Sequence, residues 1–346
     1  MNGEFLQALD QIAKEKGISK ELLIEAIDVA LVSAFKKNFG TSQNVKVTIS
    51  RETGEVDVYA LKAVSEEVES DLLQISLQDA KAINKNYELG DVVEMKVTPR
   101  NFGRIAAQTA KQVVVQRIRE AERGIIFDEY ISRENEIVTG LVQRKEKNSV
   151  FIDLGKTEAI LGPGEQTPNE VYNIGDRIKT FIVEVKKTTK GPQIVLSRTH
   201  PGLVKRLFEL EVPEIQKGIV EIKSIAREAG SRTKIAVFSH DENIDPVGAC
   251  VGQRGQRVQV IVDELKGEKV DIIEWNDDPV VFVGSALSPA KALAVTIDKE
   301  MNAARVVVGD TQLSLAIGKE GQNARLAAKL TGWKIDIKSQ SQVSGT

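Results

Sequence analysis

Two short strings in the C-terminal half have the composition of a turn that contacts phosphate. They are Gly252-Gln253-Arg254-Gly255 and Gly318-Lys319-Glu320-Gly321. A glycine pair at this spacing lets one backbone approach another closely, because no Cβ atom stands in the way. When the second glycine begins a helix, free amides and the positive end of the helix dipole face outward. The expected chemistry is therefore binding of a nucleic-acid backbone.

The two strings belong to an internal repeat. Residues 251–256 match residues 317–322, and further on residues 267–272 match residues 332–337. One Gly-x-x-Gly turn is common and most simply joins two helices without a ligand. Two copies in matching contexts favour a binding role. KH domains use such a turn to hold about four nucleotides of RNA.

Side chains that donate hydrogen bonds surround both turns and suit phosphates, sugars and base edges. The predicted RNA-binding residues here are Gly252, Gln253, Arg254, Gly255, Arg257, Gly318, Lys319, Gly321, Asn323 and Arg325. Glu320 departs from this pattern, since it puts a carboxylate where a phosphate should lie. We expect the second turn to bind more weakly than the first, or to hold Glu320 turned away. Cys250 is expected to be a small buried apolar residue rather than a nucleophile.

A run of short strands precedes the repeat. Five alternating segments punctuated by glycines lie between residues 137 and 197, a pattern typical of a small closed barrel of the OB type. Alternation places Phe151 on the outside of its strand. It is either a platform for stacking RNA bases or a contact with a neighbouring domain, and Phe181 is its one candidate companion.

A basic helix is predicted further upstream, over residues 103–123. The stretch from 96 to 119 contains six basic residues and no acidic one. Arg104 and Lys111 share one face of this helix, while Ala106 and Ala110 lie opposite. A solvated face is the alternative. In a region that is otherwise acidic, the cluster favours contact with an RNA backbone.

Composition limits the remaining chemistry. With 346 residues, 47 basic and 50 acidic, the formal charge is −3, which alone would argue against a nucleic-acid partner. One Cys excludes a disulfide within the chain, and two His nearly exclude a zinc site. No 18-residue apolar run occurs, so we expect a cytoplasmic protein that does not contact membranes. No cofactor, metal or catalytic residue is predicted.

The N-terminal part alternates helices with strands. Two helices are predicted before Gly40, which is placed to end the second of them, and a β-hairpin follows over residues 45–60. At the other end, residues 339–346 show no pattern and are expected to be frayed.

At three places the sequence resembles the NusA family of bacterial transcription factors. The strings that carry the resemblance are residues 101–112, 245–252 and 316–327. The resemblance implies a multidomain α+β protein. Its parts would be an N-terminal α/β polymerase-binding domain (1–131), an OB-fold barrel of the ribosomal protein S-one type (132–200) and two tandem type II KH domains of order α-β-β-α-α-β (201–277 and 278–346).

The resemblance also implies a function. Such a protein would bind RNA polymerase near the RNA exit channel and modulate pausing, termination and antitermination without catalysis. Arg104 and Lys111 would touch nascent RNA such as a pause or terminator hairpin, and the two turns would hold emerging single strand. Other antitermination factors are further expected partners, and the chain is expected to be monomeric.

Two other classes of protein fit parts of the pattern. A phosphorolytic exoribonuclease can carry KH and OB modules, but the sequence leaves no room for a large catalytic core and offers no Ser-His-Asp set or P-loop. A ribosome-associated RNA binder would have the same modules and no polymerase partner.

Overall fold

A computed structural model describes residues 3–39 and 44–344 of the chain. The chain divides into two compact units, residues 1–125 and 126–346. Helices and sheets are mixed in both, as the α+β prediction requires. The predicted helix end at Gly40 lies outside the described residues.

The first unit contains helices around a small mixed sheet. Its elements are α1 (Gly3–Lys16), α2 (Lys20–Phe39), β1 (Val45–Ile49), β2 (Val56–Ser65), β3 (Gln74–Ser76), α3 (Leu77–Ile83) and β4 (Val92–Lys96), and α4 (Phe102–Ile131) continues beyond it. The predicted hairpin is confirmed, with Val47 opposite Val58. The short β3–α3 segment was not predicted, and α4 extends eight residues past the predicted end at 123.

Packing in the first unit decides which face of α4 is free. Ala106 and Ala110 are buried in a core with Leu23 and Ile27 of α2, as the apolar spacing predicts. The opposite face of α4, which carries Arg104, is exposed. A helix with one apolar stripe buries it and leaves its charged face to solvent.

The second unit begins with the barrel. Its strands are β5 (Ile137–Glu146), β6 (Ser149–Asp153), β7 (Glu158–Leu161), β8 (Arg177–Thr188) and β9 (Gly191–Ser197). They close in the order β5-β6-β7-β9-β8, with β7 and β9 parallel and the other pairs antiparallel. Ile152, Ile182 and Ile194 fill the interior. The predicted OB-type barrel is confirmed.

Two KH units follow, each in the predicted order α-β-β-α-α-β. The first contains α5 (Pro201–Glu211), a short α6 (Pro213–Gln216), β10 (Val220–Glu228), β11 (Arg232–Ser239), α7 (Pro246–Val251), α8 (Gln256–Glu264) and β12 (Lys269–Glu274). The second contains α9 (Pro279–Ala286), β13 (Ala292–Asp298), β14 (Ala303–Val308), α10 (Leu313–Ile317), α11 (Gln322–Thr331) and β15 (Lys334–Ser339). Each sheet has three strands, with the first pair antiparallel and the second parallel.

The expectation of a frayed tail was wrong over the described residues. A short helix, α12 (Gln340–Ser344), follows β15. Asp310 stabilises its start, because its carboxylate accepts hydrogen bonds from the Ser341 backbone amide at 3.1 Å and from the Ser341 hydroxyl at 2.7 Å. This contact spans 31 residues and is invisible to local pattern.

Buried polar contacts join the three modules of the second unit. Between the barrel and the first KH unit, the buried Arg198 pairs with Glu170 and donates to the Glu264 carbonyl at 2.8 Å. Between the two KH units, the buried Lys234 donates to the Ser288 carbonyl at 2.6 Å. Buried charges are tolerated only where partners satisfy them, so these contacts fix the modules in place.

Candidate nucleic-acid interface

The two Gly-x-x-Gly turns have the same backbone conformation. In both, the first, third and fourth residues have positive φ. The values are +73° at Gly252, +51° at Arg254 and +77° at Gly255, against +76° at Gly318, +54° at Glu320 and +75° at Gly321. Positive φ at a residue other than glycine is uncommon and is held by the surrounding structure. The repeat in sequence is therefore a repeat of one strained turn.

The first glycine of each turn lies against the helix that follows. A Cβ on Gly252 would come within 2.7 Å of Arg257 Cγ, and one on Gly318 within 2.7 Å of the Asn323 backbone nitrogen. The second glycines have more space, since the nearest atom to a Cβ on Gly255 would be 3.9 Å away. They are needed for their positive φ at the start of α8 and α11.

The turn tips are exposed. Gln253 and Arg254 extend into solvent at the first turn, and Lys319 and Glu320 do so at the second. Both tips can therefore be reached by a phosphate backbone, and they differ in charge. Glu320 occupies the position that Arg254 has in the first turn, with the same left-handed φ.

Replacing Glu320 by Lys is expected to raise the affinity for single-stranded RNA at low salt by roughly fivefold, because a carboxylate among phosphates is exchanged for an ammonium. The gain should shrink as salt rises. Filter binding at two salt concentrations measures it. The control Glu320→Gln, which removes charge without adding any, should give an intermediate gain. Unchanged affinity for Glu320→Lys at low salt would contradict weaker binding caused by Glu320 and would mean that this side chain is turned away from RNA.

Two predicted RNA-binding residues form hydrogen bonds within the protein. Arg257 donates to the Ala249 carbonyl at 2.6 Å and pairs with Glu214 at 3.0 Å. Asn323 is buried and donates to the carbonyls of Leu287 and Ala316, both at 3.0 Å. They tie the second helix of each pair to the structure before it. Through these hydrogen bonds both side chains stabilise the position of the helix that follows each turn.

Arg325 is partly exposed to solvent and also forms hydrogen bonds within the protein. Its side chain is about half exposed, yet Nε pairs with Glu228 of the first KH unit at 3.1 Å and Nη1 donates to the Glu320 carbonyl. Gln322, beside it, also contacts Glu228, at 2.9 Å. Sequence reasoning missed Glu228. Gln322 was part of the repeated string, but no spacing rule shows that it bonds across modules.

Phe151 lies on the barrel surface, half-buried beside a cavity of about 340 Å³ that Ile160 and Lys190 help to line. The Arg144 guanidinium carbon stands 3.8 Å from the centre of the ring, and Glu158 holds this guanidinium with bonds of 3.1 and 2.6 Å. The ring therefore packs on a cation of its own barrel. Lys190 and Arg144 were not predicted as part of this surface.

The suggestion that Phe181 accompanies Phe151 was wrong. Phe181 is buried between the barrel and the first KH unit, where its ring stacks on His200 with centroids 4.6 Å apart. It packs with Leu203 and Leu207 of α5, so its side chain belongs to the KH core instead of the barrel surface. The prediction for Cys250 is confirmed. This residue is buried, and burial raises the pKa of its thiol to about 12, so the reactive thiolate does not form near neutral pH.

Arg104 and Lys111 are exposed on α4, on the face opposite its buried alanines. Gln108, on the same face, is also exposed. Arg117 is exposed and pairs with Glu120 one turn on, at 2.9 Å. The side chains of this stripe therefore face solvent on the side of α4 that the spacing predicts.

Within residues 3–39 and 44–344, no group of three or more His, Cys, Asp or Glu side chains is placed to hold a metal ion. Among the same residues, no helix is long and apolar enough to cross a membrane.

Comparison with known families assigns each module. A model of the NusA N-terminal domain matches residues 4–124, and one of the S1 RNA binding domain matches residues 132–197. Models of the NusA-like first KH domain and the NusA-like second KH domain match residues 198–275 and 279–344.

Whole-chain relatives carry one description. The transcription termination/antitermination protein NusA of Halalkalibacterium halodurans is 62% identical over 342 residues, 99% of this chain and 90% of that protein. The protein of the same description from Bacillus subtilis is 61% identical over 341 residues, 99% of this chain and 92% of that protein. The solution structure of the N-terminal domain of NusA from Bacillus subtilis is 58% identical, covering 36% of this chain and 99% of that one with a TM-score of 0.33.

Proposed function

The chain belongs to the NusA family of transcription termination/antitermination proteins, and we propose that it acts on RNA polymerase by holding nascent RNA at its two Gly-x-x-Gly turns. The polymerase is bound through the first unit, near the RNA exit channel. Pausing, termination and antitermination are modulated by contacts to single-stranded RNA and to pause or terminator hairpins. The chain itself performs no catalysis, and it works in the cytoplasm as a monomer.

One observation carries this proposal: the same strained turn is built twice, with its tip exposed both times. Backbone strain that recurs at matching positions is expected at sites of function, because it must be held there by surrounding contacts. At each turn the following helix supplies free amides and a positive dipole end. A phosphate backbone is the ligand that such a surface fits.

A division of charge supports the polymerase contact. Residues 1–125, which form the first unit, contain 17 basic and 19 acidic residues, so the net charge of this unit does not attract RNA. Two of its solvent-facing cations, Arg104 and Lys111, share one face of α4 and form a local stripe. We assign the stripe to a hairpin in nascent RNA and the rest of the unit to protein contacts, with antitermination factors as further partners.

Replacing Arg104 and Lys111 together by Ala is expected to shorten a hairpin-stimulated pause roughly two- to threefold while polymerase binding persists, because two phosphate contacts are lost. A paused-transcription assay with purified polymerase measures the pause, and co-purification measures binding. Lys81→Ala with Lys85→Ala, two exposed cations of the same unit, is the control for charge and should change neither. An unchanged pause in the α4 variant would remove this helix from the RNA path.

The non-catalytic role has its own check. Labelled RNA incubated with the protein, Mg²⁺ and inorganic phosphate is expected to keep its length. Shortening from the 3′ end would instead make the chain a phosphorolytic nuclease and contradict the proposal.

A further inference from the structure

The β10–β11 hairpin of the first KH unit touches the second turn's helix. Glu228 ends β10, and its carboxylate accepts a hydrogen bond from Gln322 Nε2 at 2.9 Å and another from Arg325 Nε at 3.1 Å. Across the hairpin, the Ser231 hydroxyl accepts from the same Gln322 amide at 2.7 Å. The first turn of α11 is thus held by the neighbouring KH unit.

Arg325 extends this contact to the second Gly-x-x-Gly turn itself. While Nε faces Glu228, Nη1 donates to the carbonyl of Glu320, in the middle of the turn. Glu320 has φ +54°, a conformation that a glutamate does not prefer alone. Because one planar guanidinium bridges both acceptors, the direction of the Nε bond sets the direction of the other.

The hairpin is a firm support for this contact. The Gly230 carbonyl accepts from Asn169 of the barrel at 2.7 Å, and the Gly230 amide donates to the buried Glu268 at 2.8 Å. Glu268 is in turn paired with Arg227 through two bonds of 2.8 and 2.9 Å. The segment that carries Glu228 is therefore fixed on its other side.

Glu228 is suited to be a charged anchor. Its side chain is only a quarter exposed, and burial alone would raise its pKa, but the hydrogen bonds from Gln322 and Arg325 hold that pKa below its usual value. The carboxylate is ionised at neutral pH, and charge-assisted hydrogen bonds are the stronger kind.

We propose that Glu228 is a positioning residue for RNA binding: through Arg325 and Gln322 it holds the second turn in its binding conformation. This inference rests on the proposed function of the two turns. An RNA strand that reaches both turns then meets the second one already ordered, so the entropy of ordering it is not lost on binding.

The test is RNA binding by the full chain carrying Glu228→Ala. The longer probe is a single strand of about twelve nucleotides, about three times what one turn holds, and the shorter probe is a strand of about four, which fits a single turn. Affinity for the longer strand is expected to fall roughly three- to tenfold, since the second turn no longer adds to the first. Affinity for the shorter strand should stay within about twofold of wild type, because the first turn binds it unaided. Glu274→Ala, an exposed glutamate of the same KH unit, is the control.

A second variant separates position from charge. Removing a carboxylate near RNA raises affinity by itself. Glu228→Gln removes the charge but keeps an acceptor for Arg325, so its affinity for the longer strand should equal or exceed that of wild type. If Glu228→Ala binds as tightly as Glu228→Gln, or as wild type, the positioning role is wrong.

Epistasis shows whether Glu228 acts through its partners. In a chain that already carries Gln322→Ala and Arg325→Ala, adding Glu228→Ala is expected to cause no further loss of affinity, and the removal of its charge can only raise affinity. A further loss equal to that in wild type would contradict the inference. If Glu228→Ala strongly lowers the unfolding temperature, Gln322→Ala replaces it as the test, because it removes only one of the contacts to Glu228. A loss of affinity for the longer strand, but not for the shorter one, is again expected. Wild type that binds neither strand would instead overturn the proposed function.

Discussion

Replacing Gln253 and Arg254 together by Asp is expected to lower affinity for single-stranded RNA at least tenfold. The change removes two donors at an exposed tip and adds carboxylates that repel phosphate, and one charge-assisted hydrogen bond contributes about 1.5–3 kcal/mol. The glycines that shape the turn stay in place, so the fold should persist. Filter-binding titration at low salt measures the loss.

A variant with the same change in charge shows that the position matters. Gln7→Asp with Lys14→Asp alters two exposed residues of α1, far from either turn in sequence, and should leave affinity within about twofold of wild type. Circular dichroism confirms that both variants are folded. Equal losses in the two would mean that overall charge, rather than the first turn, governs binding.

Replacing Arg227 by Met is expected to destabilise the second unit by about 3–5 kcal/mol, because it leaves the carboxylate of Glu268 buried without its cation. Both side chains are essentially inaccessible to water, with 1% and 0% exposure. The remaining donors to Glu268 are the Thr233 hydroxyl and the Gly230 amide. Trp275 and Trp333, the only two tryptophans, both lie in the KH units, so fluorescence in a urea titration reports this region.

An exposed ion pair gives the control for Arg227→Met. Lys186 pairs with Glu184 on the barrel at 2.8 Å with both side chains about half exposed, and Lys186→Met should cost less than about 1 kcal/mol. A similar loss of stability in both variants would show that burial of the Arg227 pair does not matter.

Acid titration checks the same pair independently. Burial alone would raise the pKa of Glu268, but the bonds from Arg227, Thr233 and Gly230 hold it below its usual value. A carboxyl group whose pKa is lowered on folding stabilises the folded state at pH values above its ordinary pKa of about 4.3. That stabilisation is lost as the pH falls through the pKa of the folded state. In Arg227→Met, protonation of the Glu268 carboxylate should remove the unpaired buried charge and so reduce the loss of stability. The gap in stability between wild type and Arg227→Met should therefore narrow as pH falls toward 4; a gap that widens would contradict this account.

Much of the fold follows from local pattern. The alternation that puts Phe151 on the outer side of its strand agrees with the burial of Val150 and Ile152 on either side of it, and the repeat around Gly252 and Gly318 identifies two matching turns. These features depend on steric rules that act within a few residues. The exposed tips at Arg254 and Lys319 could be predicted for the same reason.

Local pattern does not reveal contacts between distant segments. Arg257 pairs with Glu214, 43 residues earlier in the chain, and Asn323 donates to the Leu287 carbonyl, 36 residues earlier, and neither partner can be read from spacing. Phe181 looks like an outward aromatic until α5 packs over it. Glu228 carries no motif at all, and its role depends on a helix 94 residues further along the chain.

The near-neutral total charge also needed the structure to be interpreted. A sum of −3 over the chain averages an acidic first unit with isolated cations at the turn tips. Local charge, rather than the sum, decides whether phosphate is attracted, since screening limits exposed charges to about 10 Å in ordinary salt. We therefore expect RNA affinity that is modest and sensitive to salt, which would be sufficient if the chain is also held on polymerase, as we propose.

The most direct test is a paused-transcription assay with purified polymerase and the full chain. Wild type is expected to lengthen a hairpin-stimulated pause. A variant with Asp at Gln253, Arg254 and Lys319 should bind polymerase and leave the pause as it is without the protein. If that variant lengthens the pause as wild type does, or if wild type has no effect on it, the account of RNA held at the two turns is wrong.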